Sequence, residues 1–163
     1  MSDEPAAVEF HVEDHPDPRD IEVLETQIRH QASAAMGLGD EADLAIFVRD
    51  AGTVVAGISG WTWGDCCELQ SLWVEPSLRG RGLATRLIAA AEAEAAARGC
   101  TQTVHFTYAF QARELYERNG YELVGCVEDF PSGTDVLWYR KHLKAARTGA
   151  EQSPRSLAVH SPD

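Results

Sequence analysis

Apolar and polar residues alternate in several short segments of the chain, a period that is typical of half-buried strands. In the first of these segments, Val8, Phe10 and Val12 alternate with charged or polar residues and predict a strand over residues 8–13. Three further apolar runs follow at 44–48, 53–63 and 67–74. Because short glycine-containing turns separate these three runs, we expect an antiparallel meander of three strands.

Two other segments follow the helical period. Asp17-Pro18 is typical of a helix start, and apolar residues at helical spacing continue to about residue 35, shortly before Gly37. A second apolar stripe from Leu83 to Ala95 predicts a helix that ends near Arg98-Gly99. Beyond it we expect a strand at 101–107, a short helix at 110–118, and strands at 121–127 and 134–143. Because the second helix links two strands of one sheet, those strands should run parallel, with a right-handed crossover.

The length and composition predict one globular domain over residues 1–143. From Lys144 onward the composition shifts to alanine, serine, proline and charged residues, which predicts a disordered tail over residues 144–163. The N-terminus lacks the pattern of a signal peptide, and no apolar run is long enough to cross a membrane. We therefore expect a cytoplasmic protein without a membrane partner.

The net charge of −12 counts against general nucleic-acid binding, which depends on lysine and arginine contacts with phosphates. It is compatible with a cationic small-molecule substrate. The four cysteines show no Cys-x-x-Cys or Cys/His spacing, so we expect reduced thiols and no metal site. Trp61 and Trp63 are interpreted as core or dimer-interface residues, which leaves a homodimer open; an aromatic wall for a cationic amine is the alternative.

A candidate phosphate site lies between the third strand and the second helix, in Arg79-Gly80-Arg81-Gly82-Leu83-Ala84. Backbone N–H groups at a helix N-terminus lack intrahelical partners, and the peptide dipoles there favour negative charge. Gly80 and Gly82 would let the backbone approach a ligand closely, while Arg79 and Arg81 add positive charge. A glycine turn with solvated arginines is the alternative interpretation.

Two motifs together carry a resemblance to a known family. Leu72-Trp73-Val74, followed after four residues by the 79–84 turn, is similar to the pyrophosphate signature of the GNAT superfamily of acetyl-CoA-dependent N-acetyltransferases. The segment from Phe110 to Tyr121, with Ala112, Tyr116 and Gly120, resembles the tyrosine block of that superfamily. The resemblance runs from about residue 8 to residue 143.

The resemblance implies an α+β fold with three αβα layers and a splayed, mostly antiparallel central sheet. It also implies acetyl-CoA as cosubstrate, with its pantetheine arm along the main chain of Leu72, Trp73 and Val74. The backbone of the turn, namely Arg79, Gly80, Arg81, Gly82, Leu83 and Ala84, would then hold the pyrophosphate. Many relatives carry asparagine at the position of Ala109, and Gln111 is a candidate to replace its cofactor contact.

Acetyl transfer needs a group that stabilises the departing thiolate and a base that takes the proton of the amine. By its position in the motif, Tyr116 is the candidate proton donor, and an ordinary core tyrosine is the alternative. Glu68 is the candidate base, since period-two alternation would put it on one face with Gln70, Leu72 and Val74. A solvated glutamate is the alternative.

His105, on the next predicted strand, is a second candidate base. The sequence thus predicts an enzyme that transfers acetyl from acetyl-CoA to a primary amine, most readily that of a small molecule. A protein N-terminal or lysine acetyltransferase is one alternative. An acyl-CoA-binding sensor without turnover is another, because Ala109 lacks the side chain that many relatives use.

Overall fold

The computed structural model describes residues 9–39 and 41–144, and the chain divides into two compact units, residues 1–39 and 40–163. The first unit contains helix α1, Pro18–Met36. The Asp17 carboxylate accepts a hydrogen bond from the Arg19 backbone N–H at 2.9 Å, and the helix ends at Gly37, whose φ of 66° is left-handed. Both predicted ends of this helix are confirmed. The predicted tail lies outside the described residues, apart from Lys144.

The strand predicted over residues 8–13 is wrong for the described residues 9–13, which form no regular secondary structure. Phe10 and Val12 are 93% and 97% exposed, and no described strand pairs with this segment. A strand is stable only when its backbone groups find a ladder partner, so apolar alternation alone was insufficient here.

Within residues 41–144, the described part of the second unit, the chain forms a six-stranded sheet and two further helices. The strands are β1 Ala42–Asp50, β2 Thr53–Trp63, β3 Cys66–Val74, β4 Gln102–Tyr108, β5 Glu122–Val127 and β6 Val136–His142. The helices are α2 Leu83–Ala97 and α3 Arg113–Arg118, and a 3-10 turn forms at Pro76–Leu78. The sheet order is β1-β2-β3-β4-β6-β5, and only the β3–β4 pair is parallel. The α+β class, the meander and the parallel pair are therefore confirmed.

The core of this unit lies on the face of the sheet that carries α2. Buried side chains of β2, such as Ala56 and Ile58, lie on this face, and α2 contacts β1, β2 and β3. The buried residues of α2 are Leu87, Ile88, Ala91 and Ala95, all members of the predicted stripe. Each fully buried leucine or isoleucine contributes about 1.5–3 kcal/mol relative to exposure. No helix in the described part of the chain is long and apolar enough to span a membrane.

A bulge interrupts β3 near the middle of the strand. Ser59 of β2 pairs with Ser71, and the next residue, Gly60, pairs with Leu69. Gln70 therefore has no pairing partner in β2. A bulge reverses the alternation of side chains beyond it. The two halves of β3 therefore follow opposite parities.

This bulge corrects the expectation that Glu68, Gln70, Leu72 and Val74 share one face. Leu72 lies opposite Ile58 on the α2 face, where Val74 is buried. Glu68 precedes the bulge and lies on the other face of the sheet, since Cys67 and Leu69 beside it are the buried residues. Simple period-two counting across this segment is wrong.

The two parallel strands separate beyond the bulge. β3 pairs with β4 only from Cys66 to Leu69, opposite Gln102 to His105. The rest of β3 continues along β2, while the rest of β4 continues along β6. The sheet is thus splayed at its centre, as the resemblance implied, and the backbone of β3 after Leu69 has no ladder partner on its β4 side.

Candidate active site

A cleft of about 750 Å³ lies where β3 and β4 separate. This is within the range of about 300–1,000 Å³ that is usual for small-ligand sites. The strand walls are residues 70–74 of β3 and residues 105–108 of β4. The other wall residues come from the glycine turn and the α3 region, namely Arg79, Ala84, Phe110, Gln111, Ala112, Leu115 and Tyr116. Two segments about thirty residues apart in sequence therefore meet at one cleft.

The glycine turn forms the N-terminal end of α2. Gly80 and Gly82 have φ values of 74° and 76°, a region that other residues rarely adopt, and a Cβ at either position would meet no atom within 4 Å. Gly82 is the N-cap, and no side chain caps the helix. The Arg79 Nε donates to the Val74 carbonyl at 3.0 Å, which ties the turn to the end of β3. The first backbone N–H groups of α2 are left open to a bound anion.

The structure brings together six of the ten residues predicted to bind the cofactor. Leu72, Trp73, Val74, Arg79, Ala84 and Gln111 line the cleft, whereas Gly80, Arg81, Gly82 and Leu83 lie in the adjoining turn and outside the wall. Gln111 has a local role as well, since its Oε1 accepts from the Thr107 hydroxyl at 3.0 Å and from the Tyr108 N–H at 3.2 Å. Its amide nitrogen is the group left to contact a ligand.

Tyr116 is at the closed side of the cleft. The residue is only 3% exposed, and its ring stacks on the His105 imidazole with centroids 4.2 Å apart. The Tyr121 ring meets it edge-on at 5.6 Å. These contacts hold the Tyr116 ring in one orientation against the cleft.

The Tyr116 hydroxyl differs from those of its two buried neighbours. The Tyr121 hydroxyl accepts from Thr103 at 3.0 Å, and the Tyr139 hydroxyl donates to the Glu117 carboxylate at 3.2 Å. Among the described residues, the Tyr116 hydroxyl has no such partner, and burial alone raises the pKa of its phenol above the ordinary value of 10.0. The phenol therefore stays protonated near neutral pH and has a hydrogen bond to give.

His105 is buried beside the point where the strands part. Its Nδ1 lies 2.7 Å from the Leu69 carbonyl oxygen, which can only accept, so Nδ1 carries the proton and Nε2 keeps its lone pair. Burial lowers the pKa of His105 below its ordinary value of 6.5, and the Leu69 hydrogen bond opposes this shift only in part. His105 is thus a neutral imidazole near pH 7, in the wall of the cleft.

Glu68 lies outside the cleft wall but next to the gap, which is the space between β3 and β4 beyond Leu69. It pairs with Trp61 of β2 and Val104 of β4, one residue before the last paired position of β3. Gln70, which does line the cleft, donates from Nε2 to the Glu68 Oε1 at 3.5 Å. Glu68 and His105 therefore flank the beginning of the gap from opposite faces of the sheet.

Several wall residues were missed by sequence reasoning. Phe106 and Tyr108 line the cleft from the face opposite the buried His105 and Thr107. The alternation along β4 predicts that these two residues share a face. Their exposure was not predictable, because the separation of β3 and β4 depends on pairing between segments that are distant in the chain. Ala109 lies outside this cleft, and its N–H donates to the Asp135 carbonyl at 2.9 Å.

Comparison with known proteins identifies the class of protein that this splayed sheet and glycine turn define. The profile of the Acetyltransferase (GNAT) family matches residues 5–121. Acetyltransferase Atu2258 of Agrobacterium fabrum is 36% identical over 111 residues, which cover 68% of this chain and 81% of that protein. Blasticidin-S acetyltransferase of Streptomyces morookaense is 40% identical over 86 residues, 50% of this chain and 61% of that protein.

Solved structures agree with the sequence matches. The crystal structure of a provisionally named acetyltransferase from Agrobacterium tumefaciens superposes with a TM-score of 0.77 at 30% identity, covering 83% of this chain and 100% of that one. The chain belongs to the GNAT acetyltransferase family and is an acyltransferase. Acetyl-CoA is the cosubstrate that goes with this family, as the resemblance implied.

Proposed function

We propose that this protein transfers the acetyl group of acetyl-CoA to a primary amine of a small molecule. The observation that carries the proposal is the cleft between β3 and β4, which joins an anion-binding helix terminus to an unpaired hydroxyl on Tyr116. The 40% identity to blasticidin-S acetyltransferase, whose name describes a small-molecule acceptor, supports this substrate class over a protein substrate.

The cofactor would lie along the separated part of β3. The main-chain groups along Leu72, Trp73 and Val74 that face the β4 side lack a ladder partner. Apart from the Val74 carbonyl, which accepts from the Arg79 Nε, they are free to pair with the amide groups of a pantetheine arm. The pyrophosphate would meet the N–H groups at the start of α2, with Gly80 and Gly82 giving a close approach. A β3 N–H would also polarise the thioester carbonyl as its oxygen gains charge.

In the chemical step, the amine lone pair attacks the thioester carbon, a C–N bond forms, the C–S bond breaks and the thiolate leaves. We assign the stabilisation of this thiolate to the Tyr116 hydroxyl. Because burial raises the pKa of this phenol, complete proton transfer to sulfur is disfavoured relative to a strong hydrogen bond. Tyr116 therefore acts mainly by donating that hydrogen bond as charge develops on sulfur.

The attacking amine must also lose a proton, since ordinary alkyl ammonium groups have a pKa of about 10.4. We propose Glu68 as the base, directly or through a water, because it borders the gap on the face away from Tyr116. The alternative is the Nε2 of His105, which is neutral near pH 7. Glu68→Gln and His105→Gln separate the two, since only loss of the base removes the acidic limb of the pH–rate profile.

The whole proposal is tested by thiol release. The protein is mixed with acetyl-CoA and a panel of primary amines that includes blasticidin S, and free coenzyme A is detected with a chromogenic thiol reagent. Peptides with free N-termini or lysines test the protein-substrate alternative in parallel. Protein without amine is the baseline, because Cys126 is exposed and reacts with the reagent itself. Acetyl-CoA binding without thiol release from any acceptor would refute transfer and favour a binding-only protein.

A cytoplasmic location is part of this proposal, and a homodimer is left open by it. None of the four cysteines, which all lie in the described part of the chain, forms a disulfide, as is typical of proteins from reducing compartments.

A further inference from the structure

The cleft opens on both faces of the sheet. Tyr116, Arg79 and Ala84 line it on the side of α2 and α3. Trp73 and Phe106 line it from the other face, since Trp73 lies opposite Gly57 and Phe106 is out of phase with the buried residues of β4. A cosubstrate and an acceptor can therefore reach the same gap from opposite sides.

The face without α2 is unusually aromatic. Cross-strand pairing assigns all four tryptophans to it, since Trp61 lies opposite Glu68, Trp63 opposite Cys66, Trp73 opposite Gly57 and Trp138 opposite Phe106. Beside the gap, Trp73 is 47% exposed and therefore offers its indole to a ligand. Phe106, across the gap, forms the second aromatic wall.

A carboxylate completes this face. Glu68 borders the gap beside Trp61, and directly opposed residues of an antiparallel pair have Cβ atoms about 4.5–5.5 Å apart. Among the described residues, Glu68 has no ion pair, and its one side-chain hydrogen bond, from Gln70, is a long 3.5 Å. Aromatic walls with one uncompensated carboxylate favour a cation that is also flat. A guanidinium stacks on aromatic rings and can present two N–H groups to one carboxylate.

We propose that the acceptor is a primary amine that also carries a planar cation of the guanidinium or amidinium type. Trp73 and Phe106 sandwich the planar group, and Glu68 binds its N–H edge. Because Glu68 is then occupied, the proton of the attacking amine goes to the alternative base, the Nε2 of His105. This inference rests on the proposed acetyl transfer and adds the class of amine that the site selects. It gives the aromatic face a role in specificity rather than in binding acetyl-CoA.

Three primary amines of similar length test the proposal, namely agmatine with a guanidinium end, cadaverine with an ammonium end and pentylamine with a methyl end. We expect kcat/KM, measured by thiol release, to be at least about tenfold higher for agmatine than for cadaverine, and lower again for pentylamine. Equal values for agmatine and pentylamine would overturn the planar-cation site while leaving acetyl transfer intact. If no amine of the wider panel gave thiol release, both the planar-cation site and the proposed acetyl transfer would be overturned.

Variants then test the residues. Trp73→Leu and Phe106→Leu should each reduce the ratio of agmatine to pentylamine by about tenfold. Phe106→Leu should leave the KM for acetyl-CoA unchanged, because Phe106 has no proposed contact with the cosubstrate. Trp63→Leu removes a tryptophan from the same face, four rows from the gap, and should keep the ratio. Glu68→Gln should lower the ratio, whereas Asp43→Asn, the same charge change two strands away, should keep it. The assignment of these residues to the planar cation would be overturned if the ratio of agmatine to pentylamine stayed unchanged in three folded variants, namely Trp73→Leu, Phe106→Leu and Glu68→Gln.

Discussion

Replacing Gly82 by aspartate would put a carboxylate at the N-cap of α2, where the pyrophosphate is proposed to bind. A Cβ at this position meets no atom within 4 Å, so the side chain has room. The φ of 76° costs a non-glycine residue about 1–2 kcal/mol, although aspartate and asparagine tolerate this region best. This cost is small beside the roughly 5–15 kcal/mol stability of a typical domain, so we expect the fold to survive.

The effect on the cofactor is electrostatic. One carboxylate charge about 6 Å from one phosphate charge, at an effective dielectric constant of about 20, gives a repulsion of about 3 kcal/mol. That corresponds to roughly a hundredfold weaker binding of acetyl-CoA, since about 1.4 kcal/mol is a factor of ten. Gly82→Asn is the matched control, because asparagine has the same shape and a similar φ penalty without the charge.

Titration calorimetry with acetyl-CoA measures both variants beside the wild type. We expect Gly82→Asn to bind within about tenfold of the wild type and Gly82→Asp to bind about a hundredfold more weakly than Gly82→Asn. The difference should shrink at high salt, because the site is open to solvent. Equal affinity of the two variants, with the folds verified by circular dichroism, would refute the assignment of this turn to the pyrophosphate.

Three other predictions concern neighbouring residues. Tyr116→Phe should lower kcat by about tenfold to a hundredfold with little change in acetyl-CoA affinity. The control is Tyr121→Phe, because the Tyr121 hydroxyl bonds to the protein; this variant should keep kcat and lower the free energy of unfolding by about 1 kcal/mol. Equal losses of kcat in the two variants would contradict this difference. Burial lowers the pKa of His105 below 6.5, so on acidification the unfolded chain takes up the proton first, and the free energy of unfolding should fall as the pH drops below about 6.5. Denaturant unfolding of His105→Gln should show a smaller fall. If the free energy of unfolding depends on pH equally in the variant and the wild type, His105 is excluded as a cause. Gly60→Ala should lower the free energy of unfolding by at least about 1–3 kcal/mol, because a Cβ there collides with the Glu68 carbonyl at the bulge; a chemical denaturation midpoint unchanged from the wild type would contradict that packing.

Much of the fold could be predicted because its signals are local. Asp17-Pro18 and Gly37 marked both ends of α1, since capping depends on the backbone within one turn. The apolar stripe from Leu83 to Ala95 identified the buried face of α2. The alternation at 8–13 was insufficient, because a strand also needs a partner that the sequence does not specify.

The candidate site was only partly predictable. The turn at 79–84 and Tyr116 stood out as motifs, and Tyr116 does line the cleft beside residues of β3. The faces of Glu68 and Leu72 were not predictable by counting, because the bulge at Gln70 depends on how β2 pairs with β3. The neighbours of His105 were hidden for the same reason, since Leu69 and Tyr116 reach it from other elements.

By itself, the sequence determined the order of most strands and helices, the glycine turn at the start of α2 and the residue types available for chemistry, because periodicity, capping and positive φ act over a few neighbouring residues. Only the tertiary structure decided where β3 and β4 separate, which side chains face each side of the gap, and which buried tyrosine keeps a free hydroxyl. Those properties depend on pairing and packing between segments that are distant in the chain, and no local pattern encodes them.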